Sequence, residues 1–185
     1  MVSKPQILML DEPFSALDSF LRWELEQELM KVVSSYEGTT IIVSHNRDEV
    51  YRISDKIAVM ADGLVNCFGT KQEIFWRPPT YQSALLTGCR NFSRAEYIDA
   101  EHVKLIDWGG TLRCKATPDA KFVAIRPHFM KLVDKPGENT VKFMVKNAID
   151  NLTEMIIVLK SDASDSDYSE ITIRLKKDVW EPYQN

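Results

Sequence analysis

Four consecutive apolar residues, Ile7-Leu8-Met9-Leu10, lie between Pro5 and Pro13 and end in two carboxylates, Asp11 and Glu12. A short apolar run bounded in this way predicts a strand buried on both faces, as in parallel sheets covered by helices. Such a strand delivers its last side chains to the C-terminal edge of the sheet, where ligands of open α/β sheets bind. Two adjacent acids there suit phosphoryl chemistry. The first can hold Mg²⁺ through water, and the second can orient or deprotonate a water attacking a terminal phosphate. Taken alone, the pair has a plainer reading, because carboxylates also cap helices. Ser15-Ala16-Leu17-Asp18 follows at once, and a second buried run, Thr40-Ile41-Ile42-Val43, ends in Ser44-His45. A histidine is thereby brought to the same sheet edge.

Around these runs the first 88 residues alternate strand and helix. Asp18 can cap a helix reaching Tyr36, with Leu21, Leu25, Leu29 and Val32 at helical spacing and Gly38 beyond its end. Asn46 to Ile53 reads as a short helix and Ile57–Met60 as a third strand, with a turn at Asp62-Gly63 before Val65–Cys67. Thr70-x-x-Glu73 is a capping box opening a helix that must stop before Pro78-Pro79. Strands separated by helices predict a parallel α/β sheet. After Gly88 the pattern changes to short β-rich runs at 102–106, 111–115, 121–125, 129–133, 141–149, 154–160 and 170–175. Regular short strands without helical periodicity predict an all-β barrel or sandwich. The expected domains are therefore 1–88 and 89–185. Ser161–Asp167 is polar throughout and reads as a solvated loop.

Composition excludes several classes. Lys and Arg number 23 against 27 Asp and Glu, for a formal net charge of −4. Residues 1–88 carry 8 basic and 12 acidic side chains and the remainder 15 of each, so neither part has the basic excess of a nucleic-acid binder. No apolar run exceeds the five residues of Met155–Leu159, far below the ~18 residues of a membrane span. The start has one Lys before the acidic pair and is no signal peptide. Cys67, Cys89 and Cys114 are odd in number and contain no C-x-x-C, which fits free thiols in a reducing compartment.

The segments LMLDEPFSALD and IIVSH resemble the Walker B segment, D-loop and H-loop of ATP-binding cassette (ABC) transporter ATPases, and the resemblance extends over residues 3–88. It implies the C-terminal part of a P-loop NTPase parallel sheet. Asp11 would be the Mg²⁺-linked acid, Glu12 the general base, Asp18 a residue of the loop crossing the nucleotide-sandwich dimer, and His45 the γ-phosphate sensor. The family's Walker A loop, Gln loop and signature motif have no counterpart here. The glycines lie at 38, 63, 69, 88, 109, 110 and 137, and none opens G-x-x-x-x-G-K-[S/T]. Met1 therefore reads as an internal or artificial start. Without a phosphate loop, this stretch alone is expected to hold neither ATP nor Mg²⁺ tightly. The strands left open by the missing part should be covered by a second copy.

Leu86–Phe92 and Val123-Ala124-Ile125-Arg126-Pro127-His128 resemble marks of importer ATPases that carry a C-terminal OB-like (TOBE) regulatory domain. His128 is closer to the molybdate/tungstate branch than to the others. In that reading Thr87, Arg90, Asn91 and Arg126 would bind an oxyanion through an Arg charge and hydroxyl or amide donors. The plainer alternative makes residues 87–91 a linker with a turn at Asn91. The implied protein is a homodimeric subunit, cytoplasmic and peripheral on the inner membrane face, working with transmembrane permease subunits. The competing reading is a non-catalytic regulatory and dimerisation module that senses intracellular oxyanion. His102 reads as a surface histidine, His128 as a structural one at a strand start, and Trp108-Gly109-Gly110 as a turn beside a packed aromatic. Trp76 reads as a core residue at a helix end, and the scattered methionines as core filler.

Overall fold

β1 (Ile7–Asp11) and β2 (Thr39–Val43) pair in parallel, with Ile7 opposite Thr39 and Asp11 opposite Val43. The computed structural model describes residues 5–183. Between the two strands runs α1 (Ser19–Ser35), started by Asp18, whose side chain accepts from Phe20 N and Leu21 N. After β2 come α2 (Arg47–Ile53), capped by Asn46, and then β3 (Lys56–Ala61) and β4 (Leu64–Thr70). Thr70 and Glu73 make the capping box of α3 (Lys71–Trp76), and α4 (Tyr81–Leu86) carries another between Thr80 and Ser83. These elements belong to a unit ending at Thr87; a second unit begins at Gly88.

The first unit is mixed α/β, but the expected parallel sheet is reduced to the β1–β2 pair. Instead of joining it, β3 folds back on β4 as an antiparallel hairpin through Asp62 and Gly63, both at positive φ. Ile57, Val59 and Ile74 form the small core of that hairpin with α3. Neither β1 nor β2 is buried on both faces. Ile7, Met9, Ile41 and Val43 share an open face, where Met9 is 71% exposed. The Leu21–Leu25–Val32 stripe of α1 is likewise open, and the one buried residue of that helix is Glu26, 1% exposed. Geometry accounts for this: two strands lie only about 5 Å apart, whereas a helix with its side chains is about 10 Å across. One parallel pair cannot cover a 17-residue helix and be covered in return. Trp76, expected in the core, is 60% exposed.

The second unit is β-rich. One sheet has the order β7-β6-β5-β8, from β5 (Asn91–Asp99), β6 (His102–Leu105), β7 (Thr111–Arg113) and β8 (Phe122–Ile125). The other has the order β11-β10-β9, from β9 (Met144–Asp150), β10 (Met155–Lys160) and β11 (Glu170–Leu175). Both are antiparallel, and both supply one core: Val103, Leu105 and Trp108 meet Ile157, Ile171 and Ile173. A short helix, α5 (Lys177–Trp180), adds Trp180. The longest strand, β5, carries no warning in the apolar pattern, because polar Asn91 and Ser93 are buried along with Phe92 between them. The strand expected at 129–133 is a 3-10 turn, Pro127–Phe129, followed by irregular chain, with His128 against the Phe129 ring. At Trp108-Gly109-Gly110 both glycines have positive φ and Trp108 is packed inside, donating from Nε1 to Tyr168 O.

Asp107 explains the polar burial. Its carboxylate is fully buried and accepts from Arg94 N at 2.7 Å, Arg94 Nη2 at 2.6 Å, Ser166 Oγ at 2.6 Å and Ser164 Oγ at 3.0 Å. Arg94 is where β5 changes partner, from β8 over Asn91–Arg94 to β6 from Ala95 onward. The carboxylate thus satisfies an amide at the crossover that would otherwise be buried without a partner. It also ties down the 161–167 loop, which is therefore not simply solvated. Burial pushes the Asp107 carboxyl up, but the hydrogen bonds from Arg94, Ser166 and Ser164 outweigh it and hold the group far below the usual carboxylate range.

Asp107→Asn turns an NH2 group toward these donors and is expected to cost about 2–3 kcal/mol at pH 7. The folded-state pKa is depressed, so the carboxylate's contribution is present above the unfolded value of about 3.9 and is lost as pH falls below it. Urea melts of both forms from pH 7 to pH 2.5 should show the gap narrowing on acidification; a constant gap would contradict this.

Candidate functional site

Parallel register ends β1 and β2 level with each other, so the residues just past Asp11 and Val43 share one edge. Glu12 and His45 are brought together there. Glu12 N–H donates to Val43 O at 2.9 Å, and Glu12 O accepts from Ser15 N–H at 3.2 Å and Ser15 Oγ at 3.1 Å. Held by these bonds, Glu12 takes φ +45°, a left-handed conformation costly for a residue with a Cβ. The turn redirects its side chain across to the neighbouring strand's end. Glu12 Oε1 accepts from His45 N–H at 2.9 Å and lies 2.7 Å from His45 Nδ1.

A carboxylate oxygen accepts, so Nδ1 is the ring nitrogen that carries the proton in this contact, and Nε2 is the one left for another partner. The imidazole side chain is 80% exposed and the Glu12 side chain 32%. The pair therefore faces water, where one carboxylate oxygen is engaged by His45. Asp11 stands next to Glu12 at the end of β1, exposed. Among the described residues no group of three or more His, Cys, Asp and Glu gathers as a metal cluster. One carboxylate beside a phosphate is nonetheless the donor set Mg²⁺ uses, through retained waters and substrate oxygens. Asp11 is an exposed carboxylate of the kind such a donor set would need. Asp18 Oδ1 caps α1, accepting from Phe20 N–H at 2.9 Å and Leu21 N–H at 3.0 Å.

Of the four residues expected to form an oxyanion site, Thr87 and Asn91 are engaged elsewhere. Thr87 Oγ1 donates to Ser83 O at 2.7 Å at the end of α4. Asn91 is fully buried, donating from Nδ2 to Thr172 O and accepting from Thr172 N–H, both at 2.8 Å. Its amide therefore completes the backbone pairing of β11 instead of facing a ligand. Arg90 is exposed, and Arg126 is half-buried. Burial pushes the Cys89 thiol up, and the Arg126 charge acts against it.

Sequence reasoning missed the ionic side chains behind the site. Glu26 binds Arg52 through both oxygens, the Nη2 bond measuring 2.8 Å. Glu49 accepts from Ser44 Oγ and Asn46 Nδ2. The spacing Asn46-x-x-Glu49 follows the pattern of a helix start with an acid at its third position and carries the signal for the second of these.

No family model matches the chain. It is 35% identical over 142 residues to the spermidine/putrescine import ATP-binding protein of Malacoplasma penetrans, an overlap of 73% of this chain and 24% of that protein. It is 29% identical over 196 aligned positions to the protein of the same name from Marinobacter nauticus, covering 96% of this chain and 52% of the relative. Over 84 residues it is 37% identical to an Fe(3+) ions import ATP-binding protein of Haemophilus influenzae, covering 45% of this chain and 24% of that one. Its homologues are ATP-binding subunits of ABC importers. The chain spans between a quarter and about half of their length. No helix among the described residues is long and apolar enough to cross a membrane.

Replacing the cap of α1 by Asp18→Ala should cost about 1 kcal/mol. Urea denaturation followed by far-ultraviolet dichroism measures it, and an unchanged midpoint would deny Asp18 the capping role.

Proposed function

We propose that this chain is part of the ATP-hydrolysing subunit of an ABC importer. The observation that carries this reading is the grip of Glu12 Oε1 on both the His45 N–H and its ring, at an edge where Asp11 also ends its strand. In this reading residues 1–88 are the C-terminal part of a nucleotide-binding domain and 89–185 an OB-like regulatory domain. Glu12 orients and deprotonates the attacking water through the oxygen that His45 leaves available. His45 holds the carboxylate in place and presents Nε2 toward the γ-phosphate. Asp11 would hold Mg²⁺, which when bound would supply neutralisation of the phosphate oxygens. Asp18 and its loop face the second copy of a homodimer, and the open apolar face around Met9 and Ile41 is covered in the assembled subunit. The subunit works at the inner membrane face against transmembrane permease subunits.

For the cargo, the names of the relatives favour a polyamine or a metal cation over an oxyanion. Molybdate or tungstate has support only from the Arg126-Pro127-His128 and Gly88–Asn91 likenesses. Thr87 and Asn91 are occupied by Ser83 and Thr172.

The test uses the longest continuous reading frame that contains these residues. Glu12→Gln there should lower ATP turnover by at least about 100-fold, the scale of a lost general base, while ATP binding persists. Turnover retained by Glu12→Gln would remove the reading. The 185-residue chain alone is expected to release no phosphate from ATP, and release abolished by Glu12→Gln would overturn that expectation.

A further inference from the structure

Ser44, His45 and Asn46 form the turn between β2 and α2, and one buried carboxylate shapes it. Glu49 Oε2 accepts from Ser44 Oγ at 2.9 Å, and Oε1 accepts from Asn46 Nδ2 at 2.8 Å. Ser44 Oγ accepts from Asn46 N–H at 3.0 Å, and Asn46 Oδ1 accepts from Asp48 N–H at 3.0 Å. Both neighbours of His45 are therefore tied to Glu49, while His45 itself reaches out to Glu12. Glu49 is 4% exposed. A carboxylate so placed needs a counter-charge, and removing one member of such a set is costly.

Arg22 of α1 provides that charge incompletely. Its Nε lies 3.8 Å from Glu49 Oε1, beyond hydrogen-bond length. The same nitrogen is buried and finds no hydrogen-bond partner among the described residues. At its other end Nη2 donates to Leu17 O at 3.2 Å, the carbonyl immediately before Asp18. A continuous set of contacts thus runs from the Leu17–Asp18 segment through Arg22 and Glu49 to the turn bearing His45. Closing the Arg22–Glu49 gap by about an ångström would make it a charge-assisted hydrogen bond.

We propose that Glu49 is a positioning residue for His45, and that Arg22 couples it to the Leu17–Asp18 segment. Drawing Arg22 onto Glu49 stiffens the Ser44–Asn46 turn and holds His45 against Glu12. The proposal rests on the catalytic reading for its consequence in turnover, but its geometry needs no nucleotide.

The test is nuclear magnetic resonance on the whole 185-residue chain, labelled with ¹⁵N and ¹³C. Two signals report on His45: exchange of its amide, which donates to Glu12, and the ¹⁵N shift of ring Nδ1. In Glu49→Gln the amide should exchange about ten-fold faster, the scale of one lost hydrogen bond. The Nδ1 shift should move toward its value in Glu12→Ala. Amides of Ile57 and Val59 should keep their protection, which separates loss of positioning from loss of fold. Arg22→Lys keeps the charge and should leave both His45 signals near wild type, whereas Arg22→Met should move them in the Glu49→Gln direction. Wild-type His45 signals in folded Glu49→Gln, or equal signals in the two Arg22 variants, would overturn the proposal. If Glu49→Gln does not fold, Ser44→Ala removes one bond to the same carboxylate and must shift His45 the same way; no shift sinks the idea. Failure of the catalytic reading would appear separately, as retained turnover in Glu12→Gln with these His45 results unchanged.

Discussion

Everything at the candidate site depends on the parallel register of two five-residue strands. Pairing Asp11 with Val43 makes both strands end together, and the chain must then leave each at the same edge. Glu12 leaves through a left-handed residue that has a Cβ, a conformation that persists only where its surroundings over-determine it. Val43 O on one side and the Ser15 N–H and hydroxyl on the other do so. Because that backbone is pinned, the carboxylate is aimed before any ligand arrives. In the proposed catalytic reading, preorganisation of this kind lowers the cost of orienting the attacking water. A slip of register by one residue would put the two side chains on opposite faces of the sheet.

Beside the small apolar core of Ile57, Val59 and Ile74, the first unit also buries charge. Glu26 and Glu49 are almost fully buried, the first against Arg52 and the second near Arg22 with bonds from Ser44 and Asn46. Buried ion pairs contribute little net stability, because desolvation offsets most of their attraction, but breaking one leaves an uncompensated charge. They therefore act as constraints on geometry. Apolar surface that would normally fill this role stands open on β1, β2 and α1 instead, which is what a sheet interrupted after two strands must do.

The second unit solves a different problem, joining two antiparallel sheets over one core without leaving backbone groups unpaired. Asn91 closes the gap to β11 and Asp107 the gap at the β5 crossover. In each case a polar side chain replaces a missing strand neighbour. Side chains committed in this way cannot also serve a ligand, and that argues against the anion site suggested by Thr87 and Asn91. Arg126 remains beside Cys89, opposing the effect of burial on its thiol.

Local patterns were legible where a single segment decides its own structure. Asp18, Asn46 and Thr70 start helices because a side-chain oxygen within two or three residues satisfies the first amides, and Asp62-Gly63 turns because both positions tolerate positive φ. That Glu12 and His45 share one sheet edge was legible too, since both follow short apolar runs of similar length; their direct contact was not. Burial was not legible. Leu21, Leu25 and Val32 carry the same helical spacing whether or not a sheet exists to receive them, and Ile57–Met60 reads alike in a parallel sheet and a hairpin. Buried polar residues escaped for the converse reason: Asn91, Asp107 and Glu49 look like surface residues until the amides they serve, up to 81 residues away in the chain, are brought opposite them. The caps, the turns and the positions of the acids and histidine that can do chemistry could be read along the chain, because they depend on neighbours in it. Only tertiary structure decided which faces are covered and which buried charges hold the site, because burial depends on what the rest of the chain places there.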